Sequence, residues 1–218
     1  MRERLTVFLP SDSSPQEVRD CLHEELAQAL GPLNDLYRLP DSVFNDDNVH
    51  TVLTGFDMLV LRAYYDPDLR SGMTREQVAR ALPAILSRLN PAGDGQPSRR
   101  LTLTPKGYSD AIQSALGRTT DPADRQAAAR EAMRIADAMG WQDHRRAFAH
   151  FAMGRVLQLT DPSSAQAHYL LADSLYAVLP GTELHRAYVA TQLAAYAIGT
   201  GDGETALHRL GPHIDTAQ

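Results

Sequence analysis

Arg99, Arg100 and Lys106 are the side chains in this sequence best placed by type and spacing to do chemistry. They fall in the run Arg99-Arg100-Leu101-Thr102-Leu103-Thr104-Pro105-Lys106-Gly107-Tyr108, whose alternation predicts a short basic strand feeding through Pro105 into a helix. Cations in that setting can reach phosphate oxygens of a nucleic acid, and they are also commonly just solvated. The formal net charge of −6 looks wrong for such a role until it is resolved along the chain. Residues 1–47 carry four Arg against ten Asp and Glu, residues 48–120 nine Arg and Lys against six acids, and residues 121–218 eight Arg against eleven acids. The only basic segment is the one that holds Arg99, Arg100 and Lys106.

The remaining reactive residue types fall into patterns that favour ordinary structural roles. His144 and His150 are six apart and His208 and His213 five apart, neither being the three- or four-residue spacing that puts two imidazoles on one helix face for a metal. His23, Glu24 and Glu25 read as a solvated acidic face, and Asp66 and Asp68 flank Pro67 as a helix stop without the further oxygen ligands of a calcium loop. Ser13-Ser14 lacks a glycine-flanked nucleophile elbow, and no glycine-rich phosphate loop precedes a helix. The seven tyrosines from Tyr64 to Tyr196 read as partly buried aromatics ahead of base-stacking platforms. No catalytic residue, cofactor or metal ligand is therefore assigned.

Composition sets the bounds around these residues. A chain of 218 residues with 43% apolar content can bury one large core or two small ones. Its apolar stretches stop well short of the roughly 20 residues of a membrane span, and the opening residues 1–10 form no signal-peptide core, so a cytoplasmic protein is expected. A single cysteine, Cys21, rules out an intramolecular disulfide framework and reads as a small apolar residue.

The elements that would position the candidates can be followed by periodicity. Leu5, Val7 and Leu9 predict an N-terminal strand stopped by Pro10, and Ser13 or Ser14 with Pro15 opens a helix that runs through Val18, Leu22, Leu26 and Leu30 to Gly31. Residues 33–46 look irregular. A long helix is expected from about Asn48 to Asp66, and Thr74 with Gln77 forms a capping box for the next. Pro83 fits best as the first residue of a new helix, Pro83–Leu89, since inside a helix it removes a hydrogen bond and clashes. Everything after Pro122 is Ala-rich and helical, with small residues such as Gly154, Ala172 and Ala194 at the crossings. There, Leu193-Ala194, Ala197, Gly201-Asp202, Ala206 and Leu210 match the spacing of a tetratricopeptide unit.

Two resemblances follow. The stretch from Val52 to Leu116 resembles winged-helix regulators of the MarR and PadR type, through Leu59-Val60-Leu61-Arg62-Ala63, Gly72-Met73-Thr74-Arg75-Glu76-Gln77-Val78 and the close Leu103-Thr104-Pro105-Lys106-Gly107. That resemblance implies that Pro83–Leu89 is a recognition helix with Ser87, Arg88 and Asn90 as its polar readers, and that Arg99 and Arg100 lie on a wing. The part from about Ala123 to the end resembles the tetratricopeptide arrays of bacterial regulators, which bind peptides or partner proteins or dimerise.

The expected architecture is thus mainly α: a strand-helix extension over 1–47, a winged helix-turn-helix with a small β-wing over 48–120, and tetratricopeptide-like α-hairpins over 121–218. The expected function is DNA-binding transcriptional regulation by a homodimer, with double-stranded DNA held by Ser87, Arg88, Asn90, Arg99, Arg100 and Lys106. The alternatives are a non-catalytic adaptor or scaffold that binds a partner on its tetratricopeptide-like surface and uses the winged helix for protein contacts, and an accessory factor in nucleic-acid processing. No membrane partner and no cofactor are expected.

Overall fold

The computed structural model describes residues 4–9, 11–33, 35–45, 47, 49–97, 101–117 and 120–216. The chain divides into two compact units, residues 1–101 and 102–218. Among the described residues the secondary structure is entirely helical, as the mainly α expectation requires, and no strand forms.

The first unit holds α1 (Pro15–Ala29), α2 (Gly55–Tyr64) and α3 (Arg75–Leu89). Each begins on a capping box: Ser14 with Glu17, Thr54 with Asp57, and Thr74 with Gln77. Such reciprocal bonds satisfy two backbone donors that a helix start otherwise leaves open. The box at Thr54 also explains why α2 starts later than the apolar periodicity predicts. Asp57 accepts from the Thr54 N–H at 2.8 Å, the Val43 N–H at 3.1 Å and the Ser42 hydroxyl at 2.6 Å, tying the preceding loop to the first turn of α2. That loop is irregular, as its composition indicates, yet Val43 and Phe44 are core residues packed with Ala27 and Leu61. A buried loop must satisfy its backbone, and here the Leu36 N–H reaches the Phe44 carbonyl while the Asn45 amide reaches that of Leu39.

Two expectations for this unit are corrected. Residues 4–9 form no strand; no described neighbour offers them a ladder, and Phe8 stands 87% exposed. Pro83 does not open a new helix, because α3 runs unbroken from Arg75 to Leu89 with Pro83 inside it. An interior proline costs about 3 kcal/mol or more through its missing N–H. The helix is kept by the Thr74 cap and by Ile85, which is fully buried. With no turn ahead of Pro83 there is no separate recognition helix.

The second unit stacks α4 (Lys106–Leu116), α5 (Pro122–Ala138), α6 (His144–Leu157), α7 (Pro162–Ala177), α8 (Glu183–Gly199) and α9 (Gly203–Leu210), each packed on the next, with α4 also against α6. Ten of the fourteen residues of α6 are buried, which makes it the central helix. Alanines at the crossings, including Ala129, Ala132, Ala152, Ala172 and Ala194, let the backbones approach closely. Gly140 ends α5 with φ 63°, and the Trp141 N–H returns to the Ala136 carbonyl at 3.2 Å. Glycine takes that left-handed turn without a Cβ penalty, and the turn aims Trp141 back into the unit.

Residues 101–105, the expected wing strand, carry no ladder. Thr102 and Thr104 give their oxygens to Arg145 of α6 instead. The β-wing is therefore corrected to an unpaired segment whose polar groups a buried arginine satisfies.

Candidate functional site

Of the six residues expected to contact DNA, Arg99 and Arg100 lie outside the described residues. Arg88, in the last turn of α3, points its guanidinium at the stop after α2, where Nη2 lies 2.7 Å and 2.9 Å from the two Asp66 oxygens and 3.2 Å from Asp68. The backbone N–H of Asp68 and the bonds and charge of Arg88 hold the Asp66 carboxyl below its usual range, against the opposing effect of burial. Ser87 donates to Asp94. Asn90 ends α3 through its backbone, donating to the Leu86 carbonyl and accepting from the Gly93 N–H. Lys106 forms an i,i+4 pair with Asp110 at 2.6 Å. The described cations of this set are thus each matched by carboxylates.

Arg145 is the most completely enclosed charge of the second unit, with 1% of its side chain exposed. Its Nε and Nη2 grip Asp143 at 3.1 Å and 2.6 Å, Nη1 donates to the Thr102 carbonyl and the Thr104 hydroxyl at 2.9 Å each, and Nη2 also reaches the Thr102 hydroxyl at 3.2 Å. The guanidinium carbon sits 3.7 Å from the centre of the Trp141 ring, and the Arg145 carbonyl accepts from the Tyr108 hydroxyl at 2.7 Å. A guanidinium has five N–H groups, and five protein contacts use them. No donor remains for a ligand, so this is a clasp that fixes the 102–104 segment to α6.

Two surface concavities lie elsewhere in the second unit. A groove of about 330 Å³ opens beside the α6–α7 turn and runs between α7 and α8. Gln158 and Leu159 come from the turn, Ala165, Gln166 and Tyr169 from one face of α7, and Gln192, Ala195 and Tyr196 from one face of α8, each helix presenting them at i, i+1 or i+3, i+4 spacing. Tyr169 is anchored by its hydroxyl, which donates to the Gln158 side-chain oxygen at 3.1 Å, and burial pushes its pKa up to about 12. Gly154 of α6 makes room for that ring, since a Cβ there would lie 2.5 Å from Tyr169 Cε1. Leu159 at the mouth is 89% exposed. The lining carries three glutamines and two tyrosines and no charged side chain.

A second cleft of about 270 Å³, between α8 and the C-terminal turn, is lined by Arg186 and Arg209 and by Asp173 and Glu183. Arg186 is committed to Asp173 at 2.8 Å, so its fixed charges balance.

Residues 1–84 match a family model described as "Protein of unknown function (DUF2927)". That span takes in α1, α2 and the first part of α3, and none of the groove. No curated protein and no solved structure matches the chain. Neither a winged-helix regulator family of the MarR or PadR type nor a tetratricopeptide family is found, and with no strand among the described residues and a continuous α3 this corrects both resemblances. The motif residues remain where the sequence has them, but Pro105 stands at the N-cap position of α4 without a side-chain cap, Thr104 serves Arg145, and the C-terminal spacing reflects the general need for small residues where helices cross.

The groove has little signature in the sequence. Its residues are neither charged nor nucleophilic, and they meet only when α7 and α8 pack. The one legible signal is the placing of Gln192, Ala195 and Tyr196 on a single face of α8.

Proposed function

We propose that this protein is a non-catalytic adaptor that takes up an uncharged, extended peptide segment of a partner protein in the groove between α7 and α8. The observation that carries the reading is the lining. Primary amides can donate to and accept from a peptide backbone at the same time, so Gln158, Gln166 and Gln192 suit a ligand whose main chain is exposed. Tyr169, Tyr196 and Leu159 supply aromatic and apolar surface for one or two side chains of that segment, aromatic anchors being the usual source of binding energy at such sites. The absence of charge in the lining disfavours phosphorylated or strongly acidic ligands, which would lose hydration without gaining a counter-ion.

Duplex-DNA binding draws less support, because Arg88 and Lys106 are already paired with carboxylates and would have to exchange those partners for phosphates. The adaptor reading is tested by selecting peptides from a random displayed library on the full chain and measuring their affinity by fluorescence anisotropy. Enriched peptides should be uncharged with an apolar side chain, and Tyr196→Ala should weaken them by about 1–3 kcal/mol. Enrichment of acidic peptides, or affinity unchanged in Tyr196→Ala, would overturn it.

A further inference from the structure

His150 of α6 and His168 of α7 face each other with their Nδ1 atoms 3.1 Å apart and their ring centres 5.3 Å apart, the planes inclined by 24°. The separation of the centres is close to that of the nitrogens plus the two ring radii, so both Nδ1 atoms lie near the line joining the rings. Only one proton fits between them. One ring therefore donates as the Nδ1–H tautomer while the other presents its Nδ1 lone pair and carries its own proton on Nε2.

Both rings are partly buried, and both are held neutral at ordinary pH. Burial, then the neighbouring His168 and Arg146, take the His150 pKa down to about 4 against the opposing pull of Asp137. Burial alone lowers that of His168. Neutral imidazole is the form that binds metals.

We propose that His150 and His168 form a two-imidazole site for a late first-row divalent metal ion such as zinc, which enters in place of the proton they share. Two nitrogens each about 2.0–2.1 Å from a tetrahedral zinc are separated by about 3.3 Å, so the pair stands near ligand spacing already. The rings need to pivot until both lone pairs converge, and they need to move apart very little. The proton balance is simple: the donating ring loses its Nδ1 proton to solvent and gains one on Nε2, so both imidazoles stay neutral and bind through Nδ1. Water completes the coordination, as is usual for a site with few protein ligands. Imidazole nitrogens suit zinc, copper and nickel, and offer little to magnesium or calcium, which prefer oxygen. Asp137 and Arg146, 3.3 Å apart, bring one charge of each sign to the side of His150, so the pair adds little net charge against the incoming dication. The inference is independent of the peptide groove.

Zinc chloride titrated into the full chain at pH 7.5, followed by calorimetry and by the ring nitrogen resonances of the histidines, tests the site. One equivalent of zinc should bind, with the Nδ1 signals of His150 and His168 shifting together, while magnesium chloride gives neither heat nor shift. His150→Ala and His168→Ala should each weaken that equivalent by about tenfold or more, and His208→Ala should leave it unchanged. Unmoved His150 and His168 resonances in the unaltered protein would overturn the proposal, which keeps the test decisive even if an alanine variant fails to fold. So would the same affinity in a folded His168→Ala protein.

Discussion

Arg145 makes the clearest case at the scale of single residues, because a buried cation is costly unless every donor is answered, and here every donor is. Burial pushes the Asp143 carboxyl up, and the hydrogen bonds and charge of Arg145 outweigh it, so its pKa lies below the ordinary value. Removing the side chain takes the counter-ion from that carboxylate, which keeps the Arg145 backbone N–H, and takes the guanidinium donors from the Thr102 carbonyl and the Thr104 hydroxyl. Arg145→Ala should lower unfolding free energy by about 3–5 kcal/mol in a urea titration at pH 7, a loss under about 1 kcal/mol being incompatible with the clasp. The histidine pair makes an opposite kind of prediction. In the unfolded chain His150 takes a proton near pH 6.5, whereas in the folded chain it does so only near pH 4. Between these values the unfolded state binds more protons, so stability must fall as the pH is lowered through that window, by about 3 kcal/mol in all. Asparagine at position 150 should flatten this part of the stability curve, and an undiminished fall in His150→Asn would refute the assignment. Neither cluster was legible in the sequence. Arg145 meets Thr102 and Thr104 from some forty positions away, and His150 and His168 sit on different helices, so spacing within one helix, which dismissed His144 with His150, could not reveal them.

At the scale of elements, local chemistry in the sequence proved a sound guide to where helices begin. The boxes at Ser14 and Thr74 and the glycine stop at Gly140 depend on neighbours within a few residues, and each forms as its residue types require. Pro83 shows where local preference loses: burial of Ile85 and continuity of the apolar stripe hold α3 together across a residue that alone would break it. The 101–105 segment errs the other way, its alternation predicting a strand although a strand exists only with a partner. Packing of α6 on α7 rests on Gly154, against which the Tyr169 ring lies flat enough to occupy the space of a Cβ. Gly154→Ala should therefore push Tyr169 outward, lowering the thermal midpoint by the equivalent of about 1–3 kcal/mol and weakening peptide binding together with it. An alanine variant with unchanged melting and binding would show that the crossing is loose and that Tyr169 does not shape the groove.

For the whole molecule, charge has to be followed residue by residue, because a sum along the sequence does not show which cations are paired. The basic excess over residues 48–120 suggested a nucleic-acid face, yet Arg88 and Lys106 are matched by Asp66, Asp68 and Asp110, pairs that a sum along the sequence cannot see. The described helices include none long and apolar enough to cross a membrane, in keeping with the apolar runs of the sequence. The groove is lined without charge in a chain of net charge −6, and that contrast is the ground for proposing that it takes a neutral segment of another protein. Hydrogen exchange measured across the full chain with and without a selected peptide addresses this most directly. Protection should appear in the α6–α7 turn and the facing parts of α7 and α8, around residues 158–169 and 192–196, with the first unit unchanged; protection confined to residues 1–101, or spread evenly over the chain, would contradict the account.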